Sequence, residues 1–205
     1  MHTLVERMLP ADVLLKQGIY LQTCAHIELT LWQIVQIADG HEVGSAPDIE
    51  AYLQVKKHTP KLVAAAKKAT KLIPARLGLR LAALVARTEA GLLNRNLAAH
   101  GAWFVQANSD KLHVAHYFTV PAPPGNQWHY IDRPVSRRQV DFAIEDCNLI
   151  LLEAVAIRGE LEGLLRERKN RPPSPTRMST SAAALIVASF PEPGTEGGQP
   201  PHQMV

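Results

Sequence analysis

The residues best suited to chemistry are an arginine and a histidine five positions apart, at the end of a long apolar run. Arg95 is followed by the polar Asn96, and His100 is followed by Gly101. Histidine titrates near neutrality and can move a proton in either direction, while the planar guanidinium of arginine fits phosphate oxygens. Together they suit metal-free cleavage of RNA, in which the 2′-hydroxyl attacks the adjacent phosphorus. Arg95 and His100 are therefore the candidate catalytic residues, and Asn96 is an auxiliary residue that orients them or the phosphate.

The spacing of this pair sets a geometric condition. On an ideal helix, residues five apart point about 140° away from each other. Arg95 and His100 therefore converge only if the helix ends near Ala99 or if two subunits share the site. Gly101 permits the first arrangement, and a long last helix permits the second.

Arg95 also stands out because it lies in line with residues that should be buried. The predicted buried stripe of its helix consists of Leu81, Val85, Thr88 and Leu92. An arginine on such a stripe must find an anionic or hydrogen-bonding partner, or line a cleft. Glu28, in the first long helix, is either that partner or a residue at the edge of the buried face.

The segment from residue 51 to residue 88 contains no acidic residue and many basic ones. Such a segment favours a polyanion such as RNA, although it is equally compatible with the solvated surface of two helices. The candidate RNA-binding residues are Lys61, Lys67, Lys68, Lys71, Arg80 and Arg87.

Other kinds of site receive no support from the sequence. It has neither a phosphate-binding loop nor a pair of catalytic carboxylates. His113 and His116 lie three apart on a predicted strand and therefore face opposite sides, so we predict no metal and no cofactor. Cys24 and Cys147 lie in apolar helical patterns and are expected to be reduced core residues of a cytoplasmic protein.

Helices predominate in the predicted secondary structure. The first long helix begins at Pro10 and ends at Gly40, the second opens near Ser45, the third covers residues 60–73, and the fourth covers residues 76–99. Alternating apolar residues then predict a small antiparallel sheet, an insertion at about residues 102–132. Ser136 and Gln139 form a capping box that starts the last long helix.

These elements divide the chain into two parts. Residues 1–170 should form one helical domain, and the charge pattern at its start leaves no apolar stretch for a signal peptide. Residues 171–205 are rich in Pro, Gly and Ser and are predicted to be a disordered tail. Its one apolar run, residues 182–190, is too short to cross a membrane.

A helical bundle with Arg95-Asn96 and His100-Gly101 at the end of an internal helix resembles the HEPN superfamily, the higher-eukaryote and prokaryote nucleotide-binding domain. The resemblance covers about Met8 to Arg168 as architecture. It implies an all-α antiparallel bundle, homodimerisation and a composite cleft where two copies of the motif meet. It also implies metal-independent endoribonuclease activity, often in toxin–antitoxin or phage-defence settings, with an antitoxin protein as a further partner. The β insertion directly after the motif departs from the family pattern.

The sequence thus predicts a mainly α, HEPN-like antiparallel bundle with a β-hairpin or small sheet before the last long helix. The predicted function is a cytoplasmic, homodimeric, metal-independent endoribonuclease that uses Arg95 and His100 and does not associate with membranes. The alternative is a non-catalytic helical module that serves interaction, regulation or nucleotide binding. In that module, Arg95 makes a buried structural pair, for example with Glu28.

Overall fold

Seven helices and a three-stranded sheet make up the computed structural model, which describes residues 3–44, 46–56, 58–106 and 111–170. The helices are α1 (Leu4–Met8), α2 (Ala11–Ala38), α3 (Ala46–Lys56), α4 (Thr59–Ala69), α5 (Ala75–Ala90), α6 (Leu92–His100) and α7 (Arg137–Asn170). The strands are β1 (Ala102–Val105), β2 (Leu112–Ala122) and β3 (Gly125–Val135). The prediction of a mainly α protein with a small sheet before the last long helix is confirmed.

Local signals in the sequence account for the ends of several helices. Pro10 occupies the N-cap of α2, and Gly40 follows its end with a φ of +83°, a conformation that glycine adopts without steric cost. Pro60 lies in the first turn of α4, which begins one residue before the predicted start, at Thr59. The capping box of α7 is also present, because the Ser136 hydroxyl accepts a hydrogen bond from the Gln139 amide while the Gln139 side chain accepts one from the Ser136 amide.

The fourth predicted helix differs from the observed structure. Instead of one helix over residues 76–99, α5 and α6 are separated by a turn at Gly91. The backbone amide of Gly91 donates hydrogen bonds to the carbonyls of both Arg87 and Thr88. The ψ angle of Gly91, −8°, departs from α-helical geometry. The third predicted helix also ends earlier, at Ala69 rather than residue 73.

The central feature of the bundle is the pair formed by α2 and α7, which run parallel. Cys24 faces Cys147, and further along both helices Gln33 accepts a hydrogen bond from Arg158. By contrast, α5 runs antiparallel to α7, since Arg87 pairs with Asp146 and Arg80 with the later Glu153. The central pair therefore differs from the predicted antiparallel bundle, because α3 to α6 and the sheet all lie between α2 and α7 in the chain.

The core lies between α2, α4, α5 and α7. Leu31, Ile34, Leu81 and Ile157 are completely buried there. A smaller cluster joins the sheet to the start of α2, where Leu112 packs with Leu9 and Val13. The sheet is antiparallel in the order β1-β2-β3, and its strands are longer than predicted, since β3 extends to Val135.

Two predicted features fall outside the described residues. They are the tail over residues 171–205 and Ser45, near which the second helix was predicted to open. Among the helices that are described, none has both the length and the apolar composition needed to cross a membrane.

Candidate functional site

Arg95 lies on α6 and is only partly enclosed by its surroundings. Its Nε lies 3.5 Å from Oε1 of Glu28 on α2, and its side chain keeps 30% of its surface exposed. Glu28 is more enclosed, with 13% exposed, and the same oxygen accepts a hydrogen bond of 3.2 Å from the Thr59 hydroxyl. The contact with Glu28 is long for an ion pair, so the guanidinium retains donors that can reach another anion.

Arg95 lines a cavity of about 60 Å³ between α2, α7 and the junction of α5 with α6. That volume suits a few water molecules and is far below the 300–1,000 Å³ or so of typical ligand pockets. A nucleotide cannot be enclosed there by one copy of the chain. Any phosphate that Arg95 contacts must therefore approach at the mouth of the cavity.

The lining of this cavity also includes Tyr20, Cys24 and Cys147. The two sulfur atoms lie 3.8 Å apart, and both cysteines are free and buried, which agrees with their predicted place in the core. A hydrogen bond with Cys147, together with burial, raises the pKa of the Cys24 thiol above its usual value. Burial likewise raises the pKa of Tyr20. Tyr20 and Cys24 therefore remain neutral and supply no charge to the cavity, whereas the hydrogen bond with Cys24 lowers the pKa of the Cys147 thiol.

His100 is the last residue of α6 and faces a different environment. It is exposed, and its ring stacks on that of His116 of β2, with 6.4 Å between the ring centroids. It is not among the residues that line the cavity of Arg95. The helix continues through Ala99, so the separation expected for residues five apart persists within one copy of the chain.

Close packing at Gly101 holds His100 against the sheet. A Cβ atom at this position would lie 2.5 Å from the Leu97 carbonyl oxygen and 2.6 Å from Cγ2 of Val114. Any larger residue would push the end of α6 away from β2. The indole of Trp103 also donates a hydrogen bond of 2.9 Å to the Leu97 carbonyl. Close packing therefore requires a glycine at position 101 whether or not His100 is catalytic.

The two asparagines near Arg95 have different surroundings. Asn96 is exposed on α6. Asn94 lines the Arg95 cavity and a shallow surface cavity beside Phe142. Asn94 is also exposed, and its neighbours in these cavities come from the approach of α7 to α6.

The predicted RNA-binding residues divide into two groups. Lys67 pairs with Glu89, Arg87 with Asp146, and Arg80 with both Glu153 and Glu160. The remaining lysines are exposed and have no ion pair within the described part of the chain; they are Lys61, Lys68 and Lys71. The acidic partners of the first group come from α5 and α7, outside or at the edge of the acid-free segment.

The histidines of the sheet behave as strand geometry requires. His116 contacts His100, whereas the ring of His113 stacks on Phe104 and its Nδ1 lies 3.5 Å from Asp132. The two histidines thus lie on opposite faces, as predicted. Within the described ranges, His, Cys, Asp and Glu side chains do not gather in groups of three that could hold a metal ion.

Comparisons of the chain with protein families, curated proteins and solved structures gave no match.

Proposed function

We propose that the protein is a cytoplasmic, homodimeric, metal-independent endoribonuclease of the HEPN type. The observation that carries this proposal is the short helix α6, which presents two accessible ionisable groups. Arg95 keeps 30% of its side chain exposed at the mouth of a cavity, and His100 is exposed at the end of the same helix. Each group is positioned by tertiary contacts and yet remains available to a substrate.

The proposed site is composite, with Arg95 from one copy acting beside His100 from the other. Within one copy, Arg95 faces the α2–α7 side and His100 faces the sheet. A dimer that brings two α6 helices together would also add a wall at the mouth of the Arg95 cavity. An apolar contact is available next to it, since Phe142 is 71% exposed beside Asn94, and Leu93 is 44% exposed.

In the proposed reaction, the 2′-hydroxyl of one nucleotide attacks the adjacent phosphorus. His100 accepts the hydroxyl proton, the bond from phosphorus to the 5′ oxygen of the next nucleotide breaks, and that oxygen takes up a proton from water to leave as a hydroxyl. Arg95 stabilises the negative charge on the pentacoordinate phosphoryl group, and the exposed Asn96 orients the phosphate. The products are a 2′,3′-cyclic phosphate and a 5′-hydroxyl.

Exposed lysines would add contacts with the RNA backbone. Lys61, Lys68 and Lys71 are available for phosphates. Lys67, Arg80 and Arg87 would first have to exchange a carboxylate partner for a phosphate. We therefore expect the three free lysines to contribute most of the salt dependence of binding.

A second candidate function rests on the contact between Arg95 and Glu28. If the role of Arg95 is only to form this ion pair, the protein is a non-catalytic helical module for interaction, regulation or nucleotide binding. In either case the resemblance to HEPN proteins suggests a toxin–antitoxin or phage-defence setting, with an antitoxin protein as partner of the toxin.

The experiment that separates these functions is cleavage of a labelled single-stranded RNA in the presence of EDTA, with analysis of the product ends. Wild type should produce 2′,3′-cyclic phosphate ends, and His100→Ala should lower the rate at least about a hundredfold, as expected for loss of a general base. The matched control is His26→Ala, which removes an exposed histidine of α2 and should cleave like wild type. If folded wild-type dimers do not cleave, or if His100→Ala cleaves equally well, the ribonuclease proposal is wrong.

A further inference from the structure

A row of four rings extends from His100 along one face of the sheet. His100 stacks on His116, His116 stacks on Phe118 at 5.9 Å, and Phe118 stacks on His129 of β3 at 5.3 Å. The interplanar angles along the row are 22°, 11° and 19°, so the four rings are nearly parallel. We call this set the ring row. His116, Phe118 and His129 are half-buried and each keeps part of its surface accessible.

The face that carries the ring row has no acidic residue among the described residues of β2 and β3. Alternation along the paired strands β2 and β3 places the following residues on it: Leu112, Val114, His116, Phe118 and Val120 from β2, and Gln127, His129, Ile131, Arg133 and Val135 from β3. Its ionisable groups are imidazoles and one guanidinium. A guanidinium stays protonated, so the charge of this face is positive even with neutral imidazoles, which matches a polyanion.

The opposite face differs in charge. It contains Asp132, which lies 3.5 Å from His113 and accepts a hydrogen bond from the Tyr130 hydroxyl. It also exposes aromatic rings, with Tyr117 stacked on Tyr130 at 4.4 Å. A carboxylate among these rings would repel a phosphate backbone. Aromatic surface alone does not distinguish the two faces, whereas the charge does.

We propose that the ring row is a track for single-stranded RNA, on which bases stack while the backbone leads to His100. This inference rests on the proposed ribonuclease function and specifies its substrate as unpaired RNA. Unpaired bases expose their faces, and proteins bind them by stacking them on aromatic and histidine rings in a groove free of negative charge. The track ends at the proposed general base, so a base bound on Phe118 or His116 would place a neighbouring phosphate close to it.

The test is the affinity for a short fluorescein-labelled, 2′-O-methylated single-stranded RNA, measured by fluorescence anisotropy. The 2′-O-methyl groups prevent cleavage by 2′-hydroxyl attack, so binding is measured apart from catalysis. Phe118→Ala and His129→Ala should each raise the Kd about tenfold, the typical effect of losing one stacked base. Phe118→Leu keeps an apolar side chain without the ring and should weaken binding similarly. The matched control is Tyr117→Ala, the next residue of the same strand, which faces the other side and should leave the Kd unchanged.

The possible outcomes separate this inference from the proposed function. If the Phe118 variants bind like wild type, if Tyr117→Ala weakens binding as much, or if wild type binds no single-stranded RNA, the track is wrong. Cleavage of unmodified RNA that depends on His100 would then still support the ribonuclease. Conversely, binding that depends on Phe118 without any cleavage would retain the track and contradict the ribonuclease.

Discussion

The contact between Arg95 and Glu28 is where the two proposed functions differ at the scale of single residues. An ion pair with 3.5 Å between Nε and the carboxylate oxygen, on an arginine that is 30% exposed, contributes about 0–1 kcal/mol to stability. Its loss would also leave Glu28 with the hydrogen bond from Thr59. The contact with Glu28 thus orients the Arg95 side chain but contributes little to the stability of the fold.

Arg95→Ala should therefore abolish RNA cleavage while the melting temperature falls by no more than about 4 °C, the shift expected for 1 kcal/mol in a domain of this size. Circular dichroism melts and the cleavage assay measure the two effects. Arg166→Ala, which removes an arginine that is 77% exposed on α7, serves as control for both. A fall in melting temperature of more than about twice that size would indicate a buried structural pair and favour the non-catalytic module.

At the scale of elements, three arginines of α5 pair with carboxylates of α7, and two of them share Glu160. Arg80 donates hydrogen bonds to Glu153 at 2.7 Å and to Glu160, and Arg76 also pairs with Glu160. The hydrogen bonds from Arg80 lower the pKa of both carboxyl groups below the ordinary value of 4.5. A carboxyl group whose pKa is lower in the folded state stabilises the fold above its unfolded pKa, and this stabilisation is lost as pH falls through the folded value.

Wild type should accordingly lose stability below about pH 4.5, and part of this loss should come from these two glutamates. The double variant Glu153→Gln, Glu160→Gln should be less stable than wild type at pH 7 and should have a smaller further loss on acidification. Urea unfolding at neutral and acidic pH measures both. Glu167→Gln, an exposed glutamate near the end of α7, should keep the pH dependence of wild type. Equal acid sensitivity of the double variant and wild type would show that the α5–α7 pairs do not contribute.

At the scale of the whole molecule, the proposed mechanism requires a dimer, because the two candidate catalytic side chains point in different directions within one chain. Arg95 and His100 are exposed to different surroundings in one chain, so a composite site needs a second copy near α6. Phe142, on the first turns of α7, is the large exposed apolar side chain beside the surface cavity of Asn94. We expect it to lie in the dimer contact.

Phe142→Glu should convert the dimer to a monomer and abolish cleavage without a change in helical content, because a charge would be buried in an apolar contact. Size-exclusion chromatography with light scattering gives the mass. Leu152→Glu is the matched control, since Leu152 is a comparably exposed apolar residue on another side of α7 and should leave the dimer intact. A wild-type monomer that cleaves RNA would contradict the composite site, and a Leu152→Glu monomer would place the dimer contact elsewhere.

Local signals in the sequence were sufficient for much of the fold. The capping box at Ser136, the proline at the start of α2 and the alternation of His113 and His116 all depend on contacts within a few residues, and the structure agrees with each. The turn at Gly91 was missed, because α5 and α6 share one apolar stripe and glycine within a helix costs only about 1 kcal/mol.

The sequence by itself determined which residues carry chemical groups and where most helices and strands lie, because caps, periodicity and turns are local. It indicated Arg95 as unusual, since an arginine among leucines requires a partner. Only the tertiary structure decided that the partner is Glu28, that Cys24 meets Cys147, and that His100 joins a row of rings. Those contacts depend on the parallel arrangement of α2 and α7 and on the strand register. Both are set by packing between residues far apart in the chain, and local sequence patterns do not report such contacts.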